Sequence, residues 1–181
     1  YAYLHIAILS RGKKMGKSTG KQFESEIRRS LREMDCWWFR IQDTMDISRY
    51  VKAAIAEKQP GDFFIIYHGR AILMECKTTR NRTSFPLYYG DHPSILAHQI
   101  TKGLACCLHG GESYFVIRRD IPRNKRVWII TATQADKMYK DAKKENRKSV
   151  KWTWFKENAY EINIKSKPIR WDILGFLRRR L

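Results

Sequence analysis

Apolar residues in the first third of the chain recur at helical spacing and then continue as short β-rich runs. A repeat of three or four residues predicts a helix that Ser18 or Thr19 caps. The apolar positions of this helix are Phe23, Ile27, Leu31 and Met34. A short strand is expected at 37–41, followed by a weaker helix at 46–58. The apolar side of that second helix holds Ile47, Tyr50, Val51 and Ile55.

A break at Pro60-Gly61 separates these elements from two apolar runs at 62–67 and 70–77. The two runs are linked by His68-Gly69. A two-residue link ending in glycine between two such runs is a strong sign of a β-hairpin. The pattern therefore predicts two antiparallel neighbouring strands.

The register of this hairpin brings two acidic residues together. Because the turn pairs Tyr67 with Arg70, counting back along both strands places Asp62 opposite Glu75. Opposed residues share a face with Cβ atoms about 4.5–5.5 Å apart, and Lys77 follows on that face. Two like charges destabilise a sheet unless a divalent cation lies between them, and Mg²⁺ prefers carboxylate oxygens. The alternative is a turn aspartate beside a solvated ion pair.

The rest of the chain alternates helices and strands. Pro93 is predicted to open a helix that runs to about Leu108 and ends at Gly110-Gly111. Further strands are expected at 113–118, 126–131 and 160–164, a helix at 134–145, and an amphipathic tail at 171–181. Trp152 and Trp154 alternate as on one face of a strand, which favours core or dimer packing over stacking on bases.

Composition indicates a polyanionic partner. The chain has 181 residues, 43% of them hydrophobic, which is enough for one packed domain and excludes global disorder. Its 36 Lys and Arg against 18 Asp and Glu give a net charge of +18, which favours nucleic acid over an anionic membrane. The apolar runs are far shorter than the roughly 20 residues of a membrane span. Four cysteines fit neither a disulfide framework nor zinc spacing, so we expect an intracellular protein.

Two motifs carry a family resemblance. Pro60-Gly61-Asp62 followed by Glu75-Cys76-Lys77 resembles the signature of the PD-(D/E)XK nuclease superfamily. The run continues through Thr83-Ser84-Phe85-Pro86-Leu87 to His98-Gln99-Ile100 and resembles the RecU-like Holliday-junction resolvases, which read E-x-K, K-T-S-F-P-L and H-Q-I. The resemblance implies an α/β fold, with a central mixed sheet flanked by helices, a restriction-endonuclease-like core and the acidic cluster at one sheet edge. The segment between the first helix and Asp62 is shorter than in bacterial members of that family, which indicates a compact, phage-type variant.

The same resemblance implies a Mg²⁺-dependent site, in which Mn²⁺ is expected to substitute for Mg²⁺. The implied metal ligands are Asp62, Glu75 and Glu24, with Lys77 as the catalytic lysine and Gln99 as a polar residue lining the site. Glu26 is the competing choice for Glu24.

Basic residues supply the predicted DNA contacts. A cationic arm at 1–21 precedes a single nuclease domain at 22–181, and a merely solvated tail is the alternative for the arm. Its glycine spacing is one residue too short for a phosphate-binding P-loop, so no nucleotide cofactor is expected. The predicted basic contacts are Lys13, Lys14, Lys17, Lys21, Arg80 and Arg82. The resemblance adds Thr83 and Ser84, which would touch the scissile strand or its phosphates.

Together with the basic composition, the resemblance implies a Mg²⁺-dependent endonuclease that resolves four-way DNA junctions by paired nicks. A junction with near-twofold symmetry requires two opposed sites, which predicts a homodimer. Two alternatives stay open at this point: a restriction- or repair-type nuclease acting on duplex DNA, and a non-catalytic basic nucleic-acid-binding protein. No membrane partner is expected.

Overall fold

A mixed β-sheet lies at the centre of the structure, a computed structural model that describes residues 19–41 and 59–180. Its helices are α1 (Thr19–Leu31), α2 (Ala97–Leu108), α3 (Ala132–Lys144), α4 (Trp152–Asn158) and α5 (Ile173–Arg178). Its longer strands are β1 (Trp37–Arg40), β2 (Phe63–Tyr67), β3 (Arg70–Thr79), β7 (Glu112–Ile121) and β8 (Asn124–Thr131). The shorter strands are β4 (Ser84–Pro86), β5 (Tyr88–Tyr89), β6 (His92–Pro93), β9 (Ser149–Lys151), β10 (Tyr160–Ile162), β11 (Ile164–Ser166) and β12 (Arg170–Trp171).

Within these described residues, six strands form the main sheet in the order β1-β2-β3-β7-β8-β10. The pair β3–β7 is parallel and the other neighbours are antiparallel. Helices cover both faces. The predicted α/β architecture with a central mixed sheet is therefore confirmed.

Each face of the sheet has its own apolar core. On one face, α1 buries Phe23 and Ile27 against β2 and β3, together with α5. On the other face, α2, α3 and α4 pack over β7 and β8. There the ring of Trp152 stacks on Trp128, with the ring centroids 5.0 Å apart. Strand β3 lies between the two cores, so its alternate side chains enter different layers.

The hairpin between β2 and β3 has the predicted register. Tyr67 pairs with Arg70, and the ladder continues to Phe63 opposite Met74. His68 and Gly69 both have positive φ, 48° and 74°, as a two-residue type I′ turn requires. This turn chemistry fixes the register and therefore which side chains share a face.

Several element predictions are wrong in detail. The helix expected from Pro93 begins at Ala97, because Pro93 pairs with Tyr88 in a small hairpin. Trp152 and Trp154 lie on helix α4, not on a strand, although the core position predicted for Trp152 is confirmed. The strand expected at 160–164 ends at Ile162.

Other predictions fall at the margins of the described residues. Helix α1 begins at Thr19, so residues 19–21 of the predicted basic arm belong to this helix. Residues 1–18, with Lys13, Lys14 and Lys17, and the helix expected at 46–58 lie outside the described residues. Among the helices of the described residues, each is too short or too polar to cross a bilayer.

Candidate active site

The predicted carboxylates lie where β3 extends beyond the start of β2. The backbone N–H of Asp62 donates to the carbonyl of Met74 (2.9 Å), and its carboxylate Oδ2 accepts from the Cys76 N–H (2.7 Å). The Gly61 position is tight, because a Cβ there would lie 3.1 Å from the Met74 carbonyl oxygen. The sequence Pro-Gly-Asp thus lets the chain pass close to β3 and anchors the aspartate against its backbone. The register predicts that Asp62 lies directly opposite Glu75. The structure differs, because the ladder ends at Phe63 and Asp62 is hydrogen-bonded to the backbone of β3 instead.

Glu75 and Lys77 share one face of β3, as alternation requires. The Lys77 ammonium lies 2.8 Å from Oε1 of Glu75, and the Glu75 side chain is buried. Cys76 points to the opposite face and packs against the α1 core. The strand therefore presents a carboxylate and an ammonium together, next to the anchored Asp62.

Negative charge accumulates at this point of the sheet. Burial raises the pKa of Asp62 to about 7, and the charges of Glu75 and Glu24 add to the rise. The Cys76 N–H and the Lys77 ammonium act in the opposite direction without cancelling it. Burial also raises the pKa of the Cys76 thiol, which keeps that thiol protonated. The site has an excess of carboxylate charge over the cations that face it.

The two candidate glutamates of α1 have different surroundings. Glu24 lies close enough to affect Asp62 electrostatically and forms an ion pair with Arg40, 2.7 Å between Nη2 and Oε2. Glu26 is buried and paired with Arg118 at 2.9 Å, and it also accepts from the Trp171 indole. The structure thus places Glu24, not Glu26, beside the cluster, approaching from the opposite face of the sheet.

Gln99 occupies the helix layer that covers the Glu75 face. Its side-chain Oε1 accepts from the Leu96 N–H (3.0 Å) at the start of α2, and the side chain is buried. Within the described residues, the Gln99 side chain forms this hydrogen bond and no hydrogen bond with Asp62, Glu75 or Lys77. Its predicted place at the metal site stays a prediction.

The donor set suits a hard divalent cation, but only in part. Asp62 and Glu75 offer carboxylate oxygens, and the uncompensated negative charge favours a cation. Among the described residues, no three acidic, histidine or cysteine side chains stand at metal-binding spacing, and Glu24 is paired with Arg40. Mg²⁺ commonly binds through one or two carboxylates and keeps water and substrate phosphate oxygens in its remaining positions. Asp62 and Glu75 alone therefore fit this ion.

The loop after β3 presents the predicted DNA contacts. Arg80, Arg82 and Thr83 are exposed. The Asn81 side-chain oxygen accepts from the Thr83 N–H and hydroxyl, both at 3.1 Å, which gives the loop a fixed shape. Ser84 is buried in the β4–β9 ladder, so its predicted contact with DNA through the side chain is disfavoured. The buried position follows from strand pairing, which pattern reasoning did not anticipate here.

A groove missed at the sequence level adjoins this loop. Its polar lining joins Gln22 of α1 and Lys125 of β8 to Arg80 and Arg82. Asp120 also lines it and pairs with Lys125 at 3.4 Å. Lys125 lies near the start of β8, and a single lysine in a chain with this much Lys and Arg does not by itself indicate a binding groove. Only the fold brings these residues together.

Comparison with known proteins identifies the family of this chain. The family model of Recombination protein U, RecU, matches residues 38–178. The chain belongs to the RecU family. The matched span includes Asp62, Glu75, Lys77 and Gln99, whereas Glu24 precedes it.

Two RecU-family relatives are named Holliday junction resolvase RecU. The one from Bacillus subtilis is 30% identical over 129 residues, 71% of this chain and 57% of that protein. The one from Staphylococcus saprophyticus is 30% identical over 107 residues, 59% of this chain and 48% of that protein. The chain thus spans about half the length of these relatives. Hjc, a Holliday junction resolvase from Archaeoglobus fulgidus of known structure, is 16% identical with a TM-score of 0.42, covering 63% of this chain and 78% of that one.

Proposed function

We propose that this chain is a metal-dependent endonuclease that resolves four-way DNA junctions. The observation that carries the proposal is the group formed by Asp62, Glu75 and Lys77, with the lysine 2.8 Å from Glu75 and Asp62 anchored beside them. The names of the RecU-family relatives support the substrate. The net charge of +18 supports binding to a polyanion.

The residues of the site would divide the work of phosphodiester hydrolysis. Asp62 and Glu75 would hold a Mg²⁺ ion, which when bound supplies Lewis acidity and a water of lowered pKa. Hydrogen bonding to Cys76 fixes the orientation of the Asp62 carboxylate. The Lys77 ammonium would donate to a phosphate oxygen or to the attacking water and stabilise the charge that develops there. Arg80 and Arg82 would contact neighbouring phosphates.

A comparison of two DNA substrates tests the proposal. With Mg²⁺, we expect a synthetic four-way junction to be nicked at least about tenfold faster than linear duplexes made from its arms, because the substrate is selected by its branch. Gel analysis of end-labelled strands measures both rates. Equal cleavage of junction and duplex would favour a restriction- or repair-type nuclease. Absence of cleavage in both Mg²⁺ and Mn²⁺ would leave a binding protein.

We further propose that the active form is a homodimer. A four-way junction must be nicked on two opposed strands, and two sites related by a twofold axis meet that requirement. Light scattering coupled to gel filtration is expected to give about twice the 21.5 kDa of one chain. On a junction held in a supercoiled plasmid, both nicks are expected within one binding event. A mass of one chain both free and on DNA would contradict this proposal.

A further inference from the structure

A group of exposed cations lies on two segments that are far apart in sequence but adjacent in space. We define it as the basic platform: Arg80 and Arg82 after β3, and Lys148 and Lys151 at β9. All four side chains are exposed. Strand β9 pairs with β4, which places Lys151 directly opposite Ser84. The platform therefore extends from the loop after β3 to strand β9, whose Val150 belongs to the core that packs on β7 and β8.

Backbone and indole hydrogen bonds hold the two segments of the basic platform together. The Trp152 indole N–H donates to the Asn81 carbonyl (3.2 Å), and the Leu87 N–H donates to the Lys148 carbonyl (3.0 Å). The Trp152 ring is itself buried against Trp128. The platform thus stands on a packed base, so that its cations need little ordering of the backbone when they bind.

The charges of the basic platform are not neutralised within the protein. In the residues that the structure describes, none of its four side chains forms an ion pair, whereas other exposed cations do. Lys140 pairs with Asp136 at 2.7 Å, and Arg147 pairs with Glu145 at 2.6 Å. The unpaired group is therefore available to an external anion.

The position of the basic platform relates it to the candidate active site. Arg80 follows Lys77 by three residues, roughly 10 Å along an extended chain. From Arg82 to Leu87, beside Lys148, the chain extends about 17 Å at most, the axial length of about five base pairs. A row of cations within this limit, beginning close in the chain to Lys77, is short enough to lie along the backbone of one duplex arm.

We propose that the basic platform binds the phosphate backbone of the duplex arm next to the cleaved bond. This inference rests on the proposed function and adds Lys148 and Lys151 to the residues that contact DNA. Its contacts are to phosphates, so it contributes affinity without reading sequence. It therefore weakens steeply with salt.

Binding of a four-way junction without divalent metal tests the basic platform. The variant with Lys148→Ala and Lys151→Ala is expected to bind about tenfold more weakly than the wild type by fluorescence anisotropy. The slope of log K against log salt should fall in magnitude by about 2, since each lysine–phosphate contact contributes about 0.9. The matched control carries Lys165→Ala and Lys167→Ala, two exposed lysines at the β11–β12 hairpin, and should bind as the wild type does.

A conservative pair of substitutions separates charge from structure. Lys148→Arg with Lys151→Arg keeps both charges and should retain affinity and salt slope. Wild-type affinity and slope in the double alanine variant, or an equal loss in the control, would overturn the inference. Because binding is measured without metal, these outcomes are independent of cleavage. Absence of nicking in Mg²⁺ would count against the proposed function and leave the platform standing.

Discussion

Replacing Glu75 with Gln is expected to abolish metal-dependent nicking of a four-way junction while leaving junction binding intact. Glutamine keeps the shape of a buried side chain but removes the charge that a hard cation requires. The loss should be at least about 10³-fold in the single-turnover rate, equivalent to roughly 4 kcal/mol of barrier. Asp62→Asn should also abolish nicking, because it removes the second carboxylate. The fold should be retained, since the amide oxygen can still accept from the Cys76 N–H.

Two measurements distinguish this result from misfolding. Junction binding without metal should remain within about threefold of wild type, since phosphate contacts dominate affinity. The exposed Glu157 of α4 supplies the control, because Glu157→Gln removes the same charge away from the cluster and should nick at the wild-type rate. If the Glu75→Gln variant still nicks the junction in Mg²⁺, Glu75 is not a metal ligand of the reaction and the proposed catalytic site is wrong.

The shared face of Glu75 and Lys77 could be derived from the sequence because it depends on local structure. A two-residue turn at His68-Gly69 fixes the pairing of the residues beside it, and strand alternation then places Glu75 and Lys77 on one face. Each step spans a few residues, so no distant contact can alter it. The departure lies at Asp62, where the ladder ends and the carboxylate turns to the backbone of β3.

Elements whose state depends on distant partners were predicted less well. Pro93 has the composition of a helix start, but pairing with Tyr88 makes it part of a hairpin. The alternation of Trp152 and Trp154 suits a strand, yet burial of Trp152 against Trp128 and Phe85 favours a helix at this position. Local propensity is a weak prior that tertiary packing overrides.

The choice between Glu24 and Glu26 also required the fold. The two residues are two positions apart, with Ser25 between them, and the helical pattern alone does not say which one meets a cation in the core. The deciding partner of Glu26 is Arg118, 92 residues later in the chain. One signal was available: Arg118 follows the apolar run 114–117, and a charged residue buried beside such a run requires a partner.

Replacing Arg118 with Met is expected to lower the free energy of unfolding by about 3–5 kcal/mol. The Arg118 side chain is fully buried. It pairs with Glu26 at 2.9 Å, donates to the Thr19 carbonyl at the start of α1, and lies over the Phe23 ring. The substitution leaves the Glu26 carboxylate buried without its main counterion. It also releases the first turn of the helix that carries Glu24.

Arg126 provides a matched control on the neighbouring strand. It pairs with Glu161 at the same distance, 2.9 Å between Nη1 and Oε1, but both side chains are partly exposed. Arg126→Met should therefore cost less than about 1 kcal/mol, as expected for a solvent-screened ion pair. Urea denaturation followed by circular dichroism gives both free energies of unfolding.

The double variant Arg118→Met with Glu26→Gln separates the unpaired charge from the lost packing. Removing the orphaned carboxylate should recover part of the stability lost by Arg118→Met alone, because the penalty for an uncompensated buried charge disappears. Coupling of this kind is expected for residues in direct contact and not for distant pairs. Equal stability losses in Arg118→Met and Arg126→Met would contradict the buried pair. A double variant that is less stable than Arg118→Met would also contradict the buried pair. Either result would mean that the buried Glu26 carboxylate does not need Arg118 as its counterion.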